Sequence, residues 1–443
     1  MMKVSPPRDL LAGVCLVGMF ATSGCGSDTG APPVYAPNLE FLVLSDPHYF
    51  DPSLGTSGAA FEAYLATDRK LIGESDAIMR AMVAEVQTEN PQVVLISGDL
   101  TKDGELLSHQ SVARYLHQMQ SGGTSVFVVP GNHDIENAGA MSYSGDSQTS
   151  VPTISASDFA TIYNDFGYGN AISRDGQSLS YVAELVPGLW LLALDSCIYT
   201  DALGGSQVSG RFQDSTMAWI QARLDEARKA GIRVIGMMHH GVIEHFTDQA
   251  LIFPEYLVNN RATVGSIFSN GGMGAVFTGH FHANDITQGT PSGASKSIYD
   301  IETGSTVTYP CPYRIVNLAS DVLTITTKHV TSIDYDLNGA PDFQTYAHDS
   351  LRVGLEGLIT GLIEQPPYSL SASDAAALAP WLGDGLVVHY AGDEVMPADV
   401  LAESQTLLAA TDFVHQLSGA MLQSIYTDLP PPDNNVTLDL SAR

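Results

Sequence analysis

The stretch Val126 to Asp134, VFVVPGNHD, runs an apolar strand straight into an amide, an imidazole and a carboxylate. Val126 to Val129 is β-rich, and Pro130-Gly131 ends it in a tight bend that exposes Asn132, His133 and Asp134. Alone, that tripeptide reads as an ordinary polar turn. The same ending recurs along the chain. Leu39–Ser45 delivers Asp46 and His48, Val93–Ser97 delivers Asp99, Val234–Met238 delivers His239 and His240, and Ala275–Thr278 delivers His280 and His282. Carboxylate oxygen, amide oxygen and imidazole nitrogen together suit borderline or hard cations, and the lack of thiolates among them argues against a structural zinc knuckle. Asp46, His48, Asp99, Asn132, His239, His280 and His282 exceed what one ion takes while leaving room for a substrate. Two ions sharing Asp99 would use them all, and paired ions of hydrolytic sites sit about 3.5–4 Å apart.

Positioning these side chains requires alternating strands and helices. Val93–Ser97 is apolar on both faces, as a buried parallel strand should be, and so is Leu189–Leu194, which ends at Asp195. Between strands, Asp68–Asn90 carries Ile78, Met79, Met82, Val83 and Val86 at helical spacing and stops before Pro91. Ser108–Gln120 and Ala218–Ala230 read as further helices. Open α/β sheets hold their sites outside the carboxyl ends of the strands, so the donors are expected on one rim. Met141–Leu179, rich in Ser, Gly, Asp and Tyr, is too long for a simple turn and reads as a partly helical excursion over that rim, suited to carrying specificity.

In order and spacing, the blocks DPH, GDLTKDGE, GNHD, the His-His pair and GHFH resemble the calcineurin-like metallophosphoesterases, over Leu39 to Leu318. The resemblance implies a four-layer α/β/β/α sandwich and hydrolysis of phosphate esters at a dinuclear centre of Fe, Mn or Zn, with no organic cofactor. It also implies that Asp46, His48, Asp99 and His282 hold one ion and Asp99, Asn132, His239 and His280 the other, with His240 beside the metals. His133 then assists the leaving group as a proton donor and Asp134 orients it, in keeping with an imidazole whose tautomer a carboxylate fixes. Lys102, Asp103, Glu105, His109, Asn137 and Tyr143 could shape the pocket. Arg174, Arg211 and Arg314 could clamp a phosphate but read more simply as ion-pair partners.

Beyond Ala319 the pattern changes. Val322–Lys328 reads as an edge or hairpin strand, followed by helices near Leu351–Ile363 and Val400–Ile425, with Pro366-Pro367 and Pro380 between them. This tail and its HYAGDE stretch resemble the C-terminal extension of bacterial cyclic-nucleotide-phosphodiesterase-like relatives; His389, Asp393 and Glu394 read as a helix end packed on the main domain. Small phosphodiesters such as cyclic nucleotides are therefore the expected substrates. A phosphomonoesterase or nucleotidase is the alternative, and a metal-bound binding protein without turnover a third reading. The expected domains are residues 38–320 for the metallophosphoesterase unit and 321–443 for the smaller, mainly helical extension.

The 443 residues carry 49 Asp and Glu against 19 Lys and Arg, a net charge of −30. That balance repels nucleic acid polymers and anionic membrane surfaces, so neither is an expected partner. At the start, Lys3 and Arg8 precede an apolar run from Leu10 to Ala21, then Thr22-Ser23-Gly24-Cys25. Residues 1–25 read as an export signal with a lipobox, Thr22 standing where an aliphatic side chain is usual, and residues 26–37 as a linker. The expectation is a bacterial lipoprotein, exported to the periplasm or cell surface and anchored through Cys25. Cys197 and Cys311 could form one disulfide there or stay as buried thiols.

Overall fold

The computed structural model describes residues 36–200 and 205–441. The export segment and Cys25 lie outside the described residues. Two sheets form the centre. The first runs Asn435–Asp439, Val322–His329, Pro312–Ala319, Asn38–Leu44, Val93–Ile96, Ser125–Val128, and its last three strands are parallel. The second runs Asp285–Gly289, Ile298–Glu302, Ala275–Thr278, Arg233–Met238, Leu189–Leu194, Tyr181–Val186, Ser173–Arg174. Its middle is parallel and its edges antiparallel.

The apolar runs are continuous because both faces are covered. In LWLLAL, Leu189, Leu191 and Ala193 enter the core between the sheets, while Trp190, Leu192 and Leu194 lie in a second cluster with Ile220, Leu224, Val264 and Phe268. Those last residues belong to the helices Asp214–Ala230 and Arg261–Gly271. Phe41 of the first sheet meets Phe277 of the second edge to face, with centroids 5.4 Å apart. Ile78, Met82, Val86, Val112 and Leu116, from the helices Ser75–Glu89 and Leu106–Met119, complete the same core. The layering is α/β/β/α.

Helix ends differ from their sequence expectation where polar side chains take over the backbone. The helix expected from Asp68 begins at Ser75, because the Asp68 carboxylate accepts the amides of Arg69 and Lys70 at 2.7 and 3.0 Å and holds them in a turn. Val400–Ile425 is two helices, Ala398–Leu408 and Phe413–Ile425, the second capped by Asp412. Pro380 separates nothing: the helix Ala372–Ala391 continues through it, its packing against Phe343–Glu364 outweighing the lost hydrogen bond. Met141–Leu179 supplies a hairpin, Met141–Ser144 with Ser147–Ser150, and the short helix Ala156–Ile162.

The sheet crosses position 320 without a break. Val322–His329 pairs along its whole length with Pro312–Ala319 and is not an edge, since Asn435–Asp439 returns from the far end of the chain to cover it, Leu438 opposite Leu323. Arg314, fully buried, holds that return by donating to the carbonyls of Asp433 at 2.5 Å and Glu302 at 2.6 Å. No phosphate can reach it. The tail helices bury Leu351, Leu355, Leu382, Tyr390 and Leu422 together with Phe246, Phe281 and Ala283 of the sandwich. Cys197 and Cys311 are both free thiols. Among the described residues no helix is long and apolar enough to cross a membrane.

Candidate metal centre

The strand ends reach one another because their backbones leave the sheet sharply. Asp46, His48, Asp99, His280 and His282 all have positive φ, between 37° and 80°. Side chains there cost about 1 kcal/mol or more apiece, a strain that concentrates at functional sites. Neighbouring ends are stitched by Asp46 N to Gly98 O at 3.2 Å, His48 N to Asp99 O at 2.9 Å and Gly279 N to His239 O at 3.0 Å. Two glycines make the approach possible. A Cβ on Gly131 would stand 2.1 Å from Asp99 N and Oδ1, and one on Gly279 would stand 2.0 Å from Ser45 Oγ and 2.4 Å from Asp46 Oδ2.

What converges is a set of donors without enough protons among them. His48 Nε2 lies 3.1 Å from His282 Nε2 and 3.8 Å from Asp46 Oδ1, and His282 Nε2 lies 3.5 Å from that same oxygen. On the other side, His239 Nε2 lies 3.1 Å from Asn132 Oδ1. Between the groups stands Asp99, whose Oδ2 is 3.5 Å from His48 Nε2 and 3.4 Å from His239 Nε2. Asp46, His48 and His282 each offer a donor atom within 4.8 Å of the others, as do Asp99, His239 and His280. Asp46 Oδ1 and His280 Nε2 are buried with no hydrogen-bond partner. An orphaned polar atom in each donor group fits a cation, which would satisfy it.

The local fields agree with that use at three of the four rings, while His239 is raised to about 9 because Asp99 and Asp46 outweigh its burial. Burial lowers His48, His280 and His282 well below the ordinary imidazole range, leaving neutral rings with free lone pairs. Burial pushes Asp46 up to about 6, Asp99 adding to the rise while His239 opposes it. Asp99 itself stays below the usual carboxylate range because His239 and its other partners outweigh its burial. Ring orientation is set from outside: His239 Nδ1 donates to Ser97 O at 2.9 Å, which turns Nε2 inward, and His282 Nδ1 is 3.2 Å from Thr308 Oγ1.

One neighbour departs from expectation, Asp134, and one keeps to it, His240. Asp134 does not orient His133. Its carboxylate accepts the amides of Leu100, Thr101 and Gly131 and the Thr101 hydroxyl, all at 2.9–3.0 Å, and so braces the loops. The His133 partner is Asp103, whose Oδ1 accepts from Nδ1 at 2.8 Å; the other Asp103 oxygen contacts Lys102 Nζ. Adjacent side chains on a bend diverge, and the partner comes from the GDLTKDGE block. His240 spends Nδ1 on Ser196 Oγ at 2.8 Å and Nε2 on Val208 O at 2.9 Å, so no nitrogen is left for a cation. His133 also brings a donor atom within 4.8 Å of those of His48 and Asp99, and with 27% of its side chain exposed it is open to a substrate.

Arg69 and Lys70, on the turn before Ser75, are cations whose charge reaches the rings of the centre: both act on His282 and Lys70 on His48. Arg69 Nε donates to Tyr390 of the tail at 2.9 Å, and Lys70 Nζ is 3.4 Å from Asp68 Oδ2. Their signal in the sequence is slight, a basic pair beside an Asp in a segment that otherwise reads as helix.

A two-sheet sandwich bearing carboxylate, amide and imidazole donors on the strand-end rim defines a metal-dependent phosphoesterase. The calcineurin-like phosphoesterase model matches residues 39–284, more than half of the chain, and the chain belongs to that family. It is accordingly a phosphoester hydrolase, and its family implies divalent ions in a dinuclear site. No curated protein matches the sequence. Among solved structures, a dimetal phosphatase from Danio rerio is similar at 17% identity, TM-score 0.45, over 66% of this chain and 96% of its own. The purple acid phosphatase PPD1 from yellow lupin seeds is similar at 9% identity, TM-score 0.41, over 68% of this chain and 53% of its own.

Proposed function

We propose that the protein hydrolyses small phosphodiesters, of the size and charge of a cyclic nucleotide, at a two-ion centre. Asp46, His48, Asp99 and His282 hold one ion, and Asp99, Asn132, His239 and His280 the other. The observation that carries this reading is Asp99 Oδ2, 3.5 Å from His48 Nε2 and 3.4 Å from His239 Nε2, so that one oxygen faces both donor groups. When bound, a pair of iron, manganese or zinc ions supplies positive charge for phosphoryl oxygens and acidifies water.

The protein's own side chains do the remainder. Asp103 accepts the Nδ1 proton of His133, which leaves Nε2 as the atom that carries and releases a proton. Burial works against the charged ring, but Asp99 and Asp103 outweigh it and raise the His133 pKa. A protonated, partly exposed imidazole can donate to a departing alkoxide. The charge balance supports a diester: a diester brings one negative charge, whereas a monoester brings about two near neutral pH, toward a chain at −30.

The test is a substrate panel with metal-loaded protein. Bis-nitrophenyl phosphate and cyclic nucleotides should be turned over faster than nitrophenyl phosphate and nucleoside monophosphates. The opposite order would make the protein a phosphomonoesterase or nucleotidase, and two bound ions with no turnover of any ester would make it a binding protein. The export reading joins this proposal: residues 1–25 direct the chain out of the cytoplasm and Cys25 carries lipid. Radiolabelled palmitate should enter the full chain and not the Cys25→Ser variant; equal labelling of both would remove the anchor.

A further inference from the structure

A second group of buried donors lies at the seam between the sandwich and the tail. Asp285 opens the strand Asp285–Gly289, His389 lies in the last turn of the helix Ala372–Ala391, and Glu394 follows that helix. Each offers a donor atom within 4.8 Å of the other two. Asp285, His389 and Glu394 are 1%, 1% and 6% exposed. The ring of Phe281, between His280 and His282 in sequence, packs on His389 with centroids 5.3 Å apart, so the seam is one aromatic ring from the paired centre.

The hydrogen bonds single out these three from the other acids nearby. Asp300 spends its oxygens on the amides of Val242 and Ile243 and on Thr278 Oγ1, and Asp433 spends both on the amides of Ile286 and Asp393. Arg314, the cation beside them, gives its strongest bonds to carbonyls. Glu394 is different: Oε1 touches His389 Nδ1, while Oε2 is buried with no partner at all. Asp285 Oδ1 accepts from His245 Nδ1 at 2.6 Å, an outer hydrogen bond of the kind that fixes the orientation of a ligating carboxylate.

We propose that Asp285, His389 and Glu394 bind a borderline divalent cation, such as Zn²⁺ or Mn²⁺, that clamps the helical tail onto the phosphoesterase unit. Two carboxylates and an imidazole match that class of ion. The orphaned Glu394 oxygen gains a partner, and the buried negative charge shared with Asp300, Glu302 and Asp433 is reduced. Because one ligand comes from the sandwich and two from the tail, the ion binds only when the tail is docked, and it stabilises the docked form.

The experiment uses the full chain. Protein stripped with chelator is reloaded with Mn²⁺ or Zn²⁺, bound metal is counted after desalting, and crystals soaked in Mn²⁺ are mapped by anomalous scattering. The expected result is an anomalous peak among Asp285, His389 and Glu394, the loss of one ion per chain in both Glu394→Gln and Asp285→Asn, and faster proteolysis of the tail in those variants. No peak at the seam under saturating Mn²⁺ would overturn the proposal, as would a Glu394→Gln protein that binds as many ions as the parent. Should both variants fail to fold, the map of the unaltered chain decides. A missing seam peak with both ions present around Asp99 removes this proposal alone; the reverse removes the two-ion reading and leaves the seam.

Discussion

His133 Nδ1 lies 2.8 Å from Asp103 Oδ1, while Asp134, its neighbour in sequence, turns its carboxylate onto the amides of Leu100, Thr101 and Gly131. Two carboxylates flank one loop and do different things. One sets the tautomer and charge of an imidazole open to substrate; the other satisfies backbone that would be buried without partners.

Asp103→Asn should therefore act on turnover and not on metal. With His133 less firmly held and its countercharge gone, kcat for an alkyl ester should fall about 10²-fold, at the lower end of what general acid catalysis supplies. The loss should shrink for a nitrophenyl ester, whose leaving group needs no proton. Removing a carboxylate that favours the protonated ring should also move the alkaline limb of the kcat profile to lower pH. Equal losses for both esters, with an unmoved profile, would refute the role of Asp103.

Asp134→Asn should instead act on stability. The amide keeps one acceptor oxygen, turns its other end into a donor, and so faces donors it cannot satisfy. We expect a loss of about 2–4 kcal/mol in urea unfolding. Activity in the fraction that remains folded should change less than in Asp103→Asn. A variant as stable as the parent but inactive would return Asp134 to the chemistry.

Asp99→Ala should reduce bound metal more than loss of any donor on one side, since its Oδ2 faces both groups. Metal analysis after desalting decides this, with His282→Ala and His280→Ala as the one-sided comparisons. Turnover should drop by about 10³-fold or more with the loss of charge at the phosphoryl group. Retention of both ions at parental affinity would contradict the shared position.

Folding stability should fall below pH 6.5 through His109. The ring is fully buried, with Nδ1 2.8 Å from the Tyr163 hydroxyl and Nε2 2.8 Å from Asp134 O. Burial depresses its pKa to about 3, against an unfolded value near 6.5. Between those values the unfolded chain holds the extra proton, so stability decreases as pH falls through that window. From pH 7 to pH 5 the difference is about 2 kcal/mol. Urea unfolding of chelated protein at both pH values should show His109→Gln losing less than the parent by that amount, whereas parallel losses would exclude His109 as the source.

That carboxylate, amide and imidazole side chains close the buried strands was legible in the sequence because it depends on local order alone. An apolar run that stops at a polar residue, as at Asp46, Asp99, Asn132, His239 and His280, marks a buried strand and the residues at its carboxyl end, and parallel strands bring such ends to one rim, here from two packed sheets. Asp46, Asp99, Asn132, His239 and His280 could be placed together on that ground. The same runs, apolar on both faces, marked the sheets as covered, whereas the four-layer order was implied by the family resemblance and not by the runs.

Partnerships across the chain could not be read this way. Periodicity tells which face of an element is buried, not what it is buried against, so the pairing of His133 with Asp103, 30 residues earlier, went to the adjacent Asp134. The return of Asn435–Asp439 is not legible in the sequence, because a short strand after PPPDNN shows only the alternation of Val436 and Leu438. Arg314 reads in the sequence as an ion-pair partner, but the fold gives it the carbonyls of Asp433 and Glu302. Arg69 and Lys70 looked like the start of a helix until the Asp68 carboxylate took their amides. Sequence determined which strands end in carboxylate, amide and imidazole side chains; tertiary packing decided which charges meet, because hydrogen bonds to buried groups are satisfied by whatever the fold brings within 3 Å, at any separation along the chain.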